Sequence, residues 1–179
     1  MNISITARSR FAIVLPISLA LATFAFAQES PGNWHTVADV TGRFSFELPA
    51  EPQHQTQKDE SHSEGPIVTD IYLLKTDPNL YLAGLTQYPQ AAPLPDQEEL
   101  SLDRDNFDKQ VKATVVSEER KTFAGFPALE FKSKSEQMHF HCLIVKADHH
   151  VYQVVAAYKD ANEPAESQRF INSLKLIKP

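Results

Sequence analysis

His139-Phe140-His141-Cys142-Leu143-Ile144-Val145-Lys146, the turn Ala147-Asp148-His149-His150, and Val151-Tyr152-Gln153-Val154-Val155-Ala156-Ala157-Tyr158 decide the fold. Two strand-like runs joined by so short a turn predict antiparallel neighbours. A third run, Ala128-Leu129-Glu130-Phe131-Lys132, follows a turn at Gly125 and extends the pair into a meander. Working outward, Ile67 to Leu74 and Leu80 to Tyr88 flank Thr76-Asp77-Pro78-Asn79, whose residue types favour a turn, so they predict a hairpin. Trp34 to Asp39 is strand-like and leads into a turn at Val40-Thr41-Gly42. Phe44-Ser45-Phe46-Glu47-Leu48 then alternates apolar with polar and stops at Pro49. Val115 to Glu119 opens another strand. The polar stretch from Gln53 to Gly65 has no apolar anchor and reads as a solvated loop or the frayed end of a hairpin.

Two segments carry helical signals. Asp96 is placed to cap a helix running to about Ala113, and Glu98 and Glu99 suit the positive end of its dipole. Leu100, Phe107 and Val111 share one face of it, and Asp105 and Lys109 stand four apart on the other. Pro164 fits a first helical position before Ala165 to Leu174, which turns Phe170, Ile171 and Leu174 toward a core. Strands outnumber helices, and the helices come late and singly. That order predicts an α+β fold, an antiparallel sheet with helices packed on it.

Residues 1–27 read as a secretory signal peptide. Arg8 and Arg10 form a basic start, Phe11 to Phe26 is apolar or small, and Ala25-Phe26-Ala27 supplies a small-x-small cleavage pattern between Ala27 and Gln28. The apolar run is short and broken by Pro16, which argues against a stable membrane span. The expected mature protein has a flexible start at residues 28–33 and one domain over 34–179, in the periplasm or outside the cell. Cleavage removes two arginines and no acid, leaving 15 basic against 23 acidic residues and a net charge of −8 instead of −6. Such a charge repels phosphate backbones, so nucleic acid is excluded as a partner. Cys142 is the sole cysteine, so no intramolecular disulfide forms, and its apolar setting predicts a buried, inert thiol.

Three phrases, in order, resemble the PsbP/DcrB-like domain family. Gly42-Arg43-Phe44-Ser45-Phe46-Glu47-Leu48-Pro49-Ala50-Glu51-Pro52 looks like its opening "GrFsv-lPgeP" strand. Phe123 to Phe131 is similar to its "-GyPA-e-" strand entry. Val151 to Ala156 followed by Arg169 to Leu174 looks like its "lYqvv" strand and "rFl-SF" final helix. The resemblance implies an α/β/α sandwich, a central antiparallel sheet flanked by helices. Members of the family are mostly extracytoplasmic accessory or uncharacterised proteins with no shared catalytic motif, so the resemblance carries little about activity.

The sharpest local chemistry is Met138-His139-Phe140-His141-Cys142. On a strand His139 and His141 point to one face, where two imidazoles could share a zinc or copper ion, with Met138 as a soft ligand and His149-His150 bringing a third nitrogen. The alternative is a pair of solvent-facing histidines. His54 and His62 read as solvated, and Asp103, Asp105 and Asp108 as the solvated face of a helix. Tyr72, Tyr81 and Tyr88, with Pro89 to Pro95, could line a groove or pack as strand residues beneath a helix. No Gly-x-Ser-x-Gly, Ser-x-x-Lys, His-Glu-x-x-His or glycine-rich phosphate loop is present. The function expected is therefore a secreted or periplasmic non-catalytic accessory protein that binds an envelope protein or a small ligand, without a cofactor. The alternatives are a metal-handling protein using His139 and His141, and a hydrolase.

Overall fold

The computed structural model describes residues 34–90 and 95–177; the expected leader, its cleavage site at Ala27 and Gln28, the 28–33 segment and most of the 91–95 connector lie outside the described residues. In chain order the elements are β1 (His35–Ala38), β2 (Phe44–Leu48), β3 (Gln53–Asp59), β4 (Ile67–Lys75), β5 (Leu80–Gln87), α1 (Asp96–Val111), β6 (Thr114–Phe123), β7 (Phe126–Lys134), β8 (His139–Ala147), β9 (His150–Tyr158), α2 (Ala165–Asn172) and β10 (Lys175–Leu176).

Seven strands form one antiparallel sheet in the order β3-β4-β5-β9-β8-β7-β6, and β1-β2-β10 form a second, three-stranded sheet. The expected β4–β5 hairpin is present, with Lys75 opposite Leu80 and Val68 opposite Gln87. So is the meander, with Phe131 opposite Cys142 and Cys142 opposite Val155. The β6–β7 hairpin turns through Ala124 and Gly125, whose φ angles of 52° and 93° suit the two-residue turn that matches strand twist.

The period of two sorts side chains onto two apolar layers. On one face Tyr72, Tyr81, Leu143, Val145 and Val154 meet Phe44, Phe46 and Leu48 of β2 and Phe170, Ile171 and Leu174 at the end of the chain. On the other face Ile71, Leu129, Phe131, Cys142 and Ile144 lie with Leu100, Phe107 and Val111 of α1. Cys142 is fully buried, and burial pushes its thiol up, as expected of an inert cysteine.

Among the described residues the fold is α+β, mostly sheet with two helices. The helix-flanked sandwich holds only in outline. An eight-residue α2 is about 12 Å long, whereas seven strands span roughly 29 Å. The three-stranded sheet therefore shares that face with it.

Three local expectations are corrected. Of the two readings of residues 53–59, loop or hairpin end, the loop is wrong: they form β3, paired with β4 as a hairpin over its whole length, and at a sheet edge backbone pairing holds a strand that buries no apolar residue. Pro95, not Asp96, caps α1, and it makes no side-chain bond to the helix. Pro164 is likewise the residue before α2, which ends at Asn172.

Candidate functional site

His141 lies in the middle of a charged chain on the face that carries α2. Its position on β8 turns it the same way as Leu143 and Val145, and it is fully buried. Glu130 on β7 stands diagonally across the strand pair, since Glu130 is opposite Leu143. Glu163, in the segment entering α2, closes from the other side. The ring Nε2 is 2.6 Å from Glu130 Oε1 and Nδ1 is 2.5 Å from Glu163 Oε1. Each ring nitrogen is thus within hydrogen-bond distance of a carboxylate oxygen. Lys121 pairs with Glu130 at one end, and Lys132 Nζ lies 2.6 Å from Glu163 Oε2 at the other. The hydrogen bond from His141, reinforced by Lys121 and opposed by burial, holds the Glu130 carboxyl down to about 2. Burial alone would raise Glu163, but its bonds to Lys132 and His141 bring it below the ordinary range.

A second polar cluster is buried on the opposite face, under α1. Lys146 Nζ is 3.0 Å from both carboxylate oxygens of Glu99, and both side chains are more than nine-tenths buried. The same ammonium lies 5.7 Å from the centre of the Tyr88 ring. Asp103, one helical turn beyond Glu99, has a buried Oδ2 without a hydrogen-bond partner. Burial, and then the neighbouring Glu99, raise the Asp103 carboxyl to about 7, although Lys146 opposes the shift. Burial raises the Tyr88 phenol as well. Asp108 sits against Ser133 deeper along the helix. Of the three aspartates read as a solvated face, only Asp105 is exposed.

The structure separates several residues that the sequence suggested together. His139 and His141 do share a face, but His139 stacks on Tyr158 at 5.7 Å and both nitrogens of His141 are engaged. Met138 packs with the α1-side core, on the opposite face. His149-His150 is at the far end of β8, six residues or about 20 Å from His141, so it cannot bring a nitrogen there. No group of three or more His, Cys, Asp and Glu side chains among the described residues is arranged to hold a metal ion.

Tyr72 and Tyr81 are core residues on the α2 side, whereas Tyr88, an odd seven residues beyond Tyr81, packs on the α1 side. The three line no common groove. Tyr72 instead accepts a hydrogen bond from the backbone amide of Val40 at 2.8 Å and donates to Asp39 at 3.1 Å. His54 keeps solvent access but stacks on Tyr72 and lies 3.2 Å from Asp70.

The charged partners Glu130, Glu163, Glu99 and Lys146 escape a sequence reading because each meets its partner from an element distant in the chain. One signal was available. Lys146 has the same parity as Cys142 and Ile144, which places it on the apolar α1-side face.

The overall fold is similar to that of a solved protein. Cyanobacterial PsbP (CyanoP) from Synechocystis sp. PCC 6803 superposes with a TM-score of 0.56 at 8% identity, over 88% of this chain and 99% of that one. The fold is PsbP-like. A structure from Bacteroides thetaiotaomicron VPI-5482 overlaps at 12% identity over 80% of this chain and 48% of its own, with a TM-score of 0.37. No family model matches the sequence, and no curated protein does. At such identities the likeness concerns the fold alone.

Proposed function

We propose that this chain is a non-catalytic accessory protein of the periplasm or cell exterior, acting by binding an envelope protein or a small ligand. The observation that carries this reading is the closure of its most reactive-looking group. His141, the histidine best placed to be a base or a ligand, has both nitrogens committed to Glu130 and Glu163 and no exposed surface. Such a group holds a fold together, and with both nitrogens engaged and its ring buried it has no free nitrogen facing a substrate. The PsbP-like fold agrees with an accessory role, and the first 27 residues supply the address. Among the described residues no helix is long and apolar enough to cross a membrane.

The test is expression of the full chain with a carboxy-terminal tag in a Gram-negative host, followed by fractionation, amino-terminal sequencing and in-cell photo-cross-linking. The expected result is a periplasmic product beginning at Gln28 that forms a discrete cross-linked species, unchanged in yield in His141→Gln. A product retaining Met1 in the cytosol sinks the address. Loss of a measurable hydrolytic activity in His141→Gln, with the fold intact by circular dichroism, sinks the non-catalytic reading.

A further inference from the structure

We propose that α1 is a proton-controlled cover, docked on the large sheet while Asp103 is protonated and loosened when Asp103 ionises. The helix has an unusual underside. A helix that merely covers a core presents an apolar stripe, and α1 does so only with Leu100, Phe107 and Val111. Between these it turns carboxyl groups inward: Glu99 is 6% and Asp108 7% exposed, and Asp103 lies between them in sequence.

The charges around Asp103 do not balance. Glu99 faces it from the preceding turn, Lys146 from β8, and Tyr88 from the end of β5. The nearby ammonium of Lys146 donates to Glu99 Oε1 at 3.0 Å and lies at the same distance from Oε2, so a second carboxylate beside it has no cation of its own. Asp103 Oδ2 is buried without a hydrogen-bond partner. A neutral carboxyl tolerates that environment, whereas a carboxylate loses its hydration there and meets the charge of Glu99.

Linkage gives the direction. The docked helix binds the Asp103 proton with a midpoint of about 7, whereas the undocked group releases it near the ordinary value of 3.8. Docking is therefore unpenalised below about pH 4, weakens as pH rises toward 7, and stays weakened above it. Between pH 5 and pH 8 the docking equilibrium falls by a factor on the order of a hundred. Loosening exposes Phe131 and Phe140, against which Phe107 packs edge-on at 5.9 and 5.5 Å. This inference stands independently of the binding role proposed above.

Hydrogen exchange read by mass spectrometry at pH 5 and pH 8, corrected for intrinsic exchange, tests it on the full chain. Peptides from α1 are expected to lose about a hundredfold in protection at pH 8, while those from β8 and β9 change little. The Asp103→Asn variant, similar in size but uncharged, is expected to keep α1 protected at both pH values. Equal α1 protection in the wild type at pH 5 and 8, or an undiminished pH effect in Asp103→Asn, overturns the proposal. Should that variant not fold, a carboxyl carbon NMR titration of the wild type decides. A midpoint for Asp103 near neutrality supports the cover, and one in the ordinary range near 4 rejects it.

Discussion

The Nδ1 of His141 lies 2.5 Å from Glu163 Oε1, and this contact ties the large sheet to the segment that enters α2. The opposite nitrogen is equally committed, to Glu130 on the neighbouring strand. One buried ring thus joins β7, β8 and the approach to α2.

Removing that ring leaves two largely buried carboxylates facing each other without the group between them. His141→Ala is expected to destabilise the protein by about 3 kcal/mol, within the range for breaking buried ion pairs. Chemical denaturation measures it. A loss below about 0.5 kcal/mol, the level of an ordinary surface substitution, would show that the chain of charges contributes nothing net.

Glu130 makes stability depend on acid. Its carboxyl is held at about 2 in the folded protein, below the ordinary 4.5, chiefly by the bond from His141. The folded state therefore prefers Glu130 ionised. That contribution is present above pH 4.5 and is lost as pH falls from 4.5 toward 2. Thermal melts between pH 2 and 6 are expected to show a steeper acid limb for the wild type than for Glu130→Gln. Parallel curves would remove Glu130 as the cause.

Metal binding is expected to be weak and insensitive to the His139, His141 pair. An ion can use a histidine nitrogen only through its lone pair, and at His141 it would have to displace a carboxylate from either side. Zinc and copper titrations of the wild type and of His139→Ala/His141→Ala should be indistinguishable. A tight site lost in the double variant would restore the metal-handling reading.

Tyr72 anchors the turn between β1 and β2 through the Val40 amide and Asp39. Tyr72→Phe keeps the ring packing on Phe44 and Phe46 and deletes only the hydroxyl. A loss of about 1 kcal/mol is expected, since a part-buried amide and a buried carboxylate oxygen then lose a partner. Hydrogen exchange should speed up at Val40 in particular, and an unchanged rate there would mean that water replaces the hydroxyl.

The strands with apolar alternation were legible because a half-buried strand must repeat every two residues, as Phe44-Ser45-Phe46-Glu47-Leu48 does. Strand β3 was not, since Gln53 to Asp59 buries no apolar side chain and is held by backbone pairing to β4. The inward carboxyls of α1 were misread for a related reason. Asp103 and Asp108 look like solvent-facing residues until Lys146 and Ser133 are brought beneath them.

The sequence by itself determined the class of fold, the β4–β5 hairpin, the closing meander and the burial of Cys142, because each follows from local periodicity, turn chemistry or apolar surroundings. Only the tertiary structure decided what the histidines and acids do. His141 is not a solvent-facing residue but the buried centre of Lys121, Glu130, Glu163 and Lys132, which come from β6, β7 and the entry to α2. An ion pair between strands depends on register and on which helix returns to which face. Those relations arise from sheet order, which no local pattern in the chain encodes.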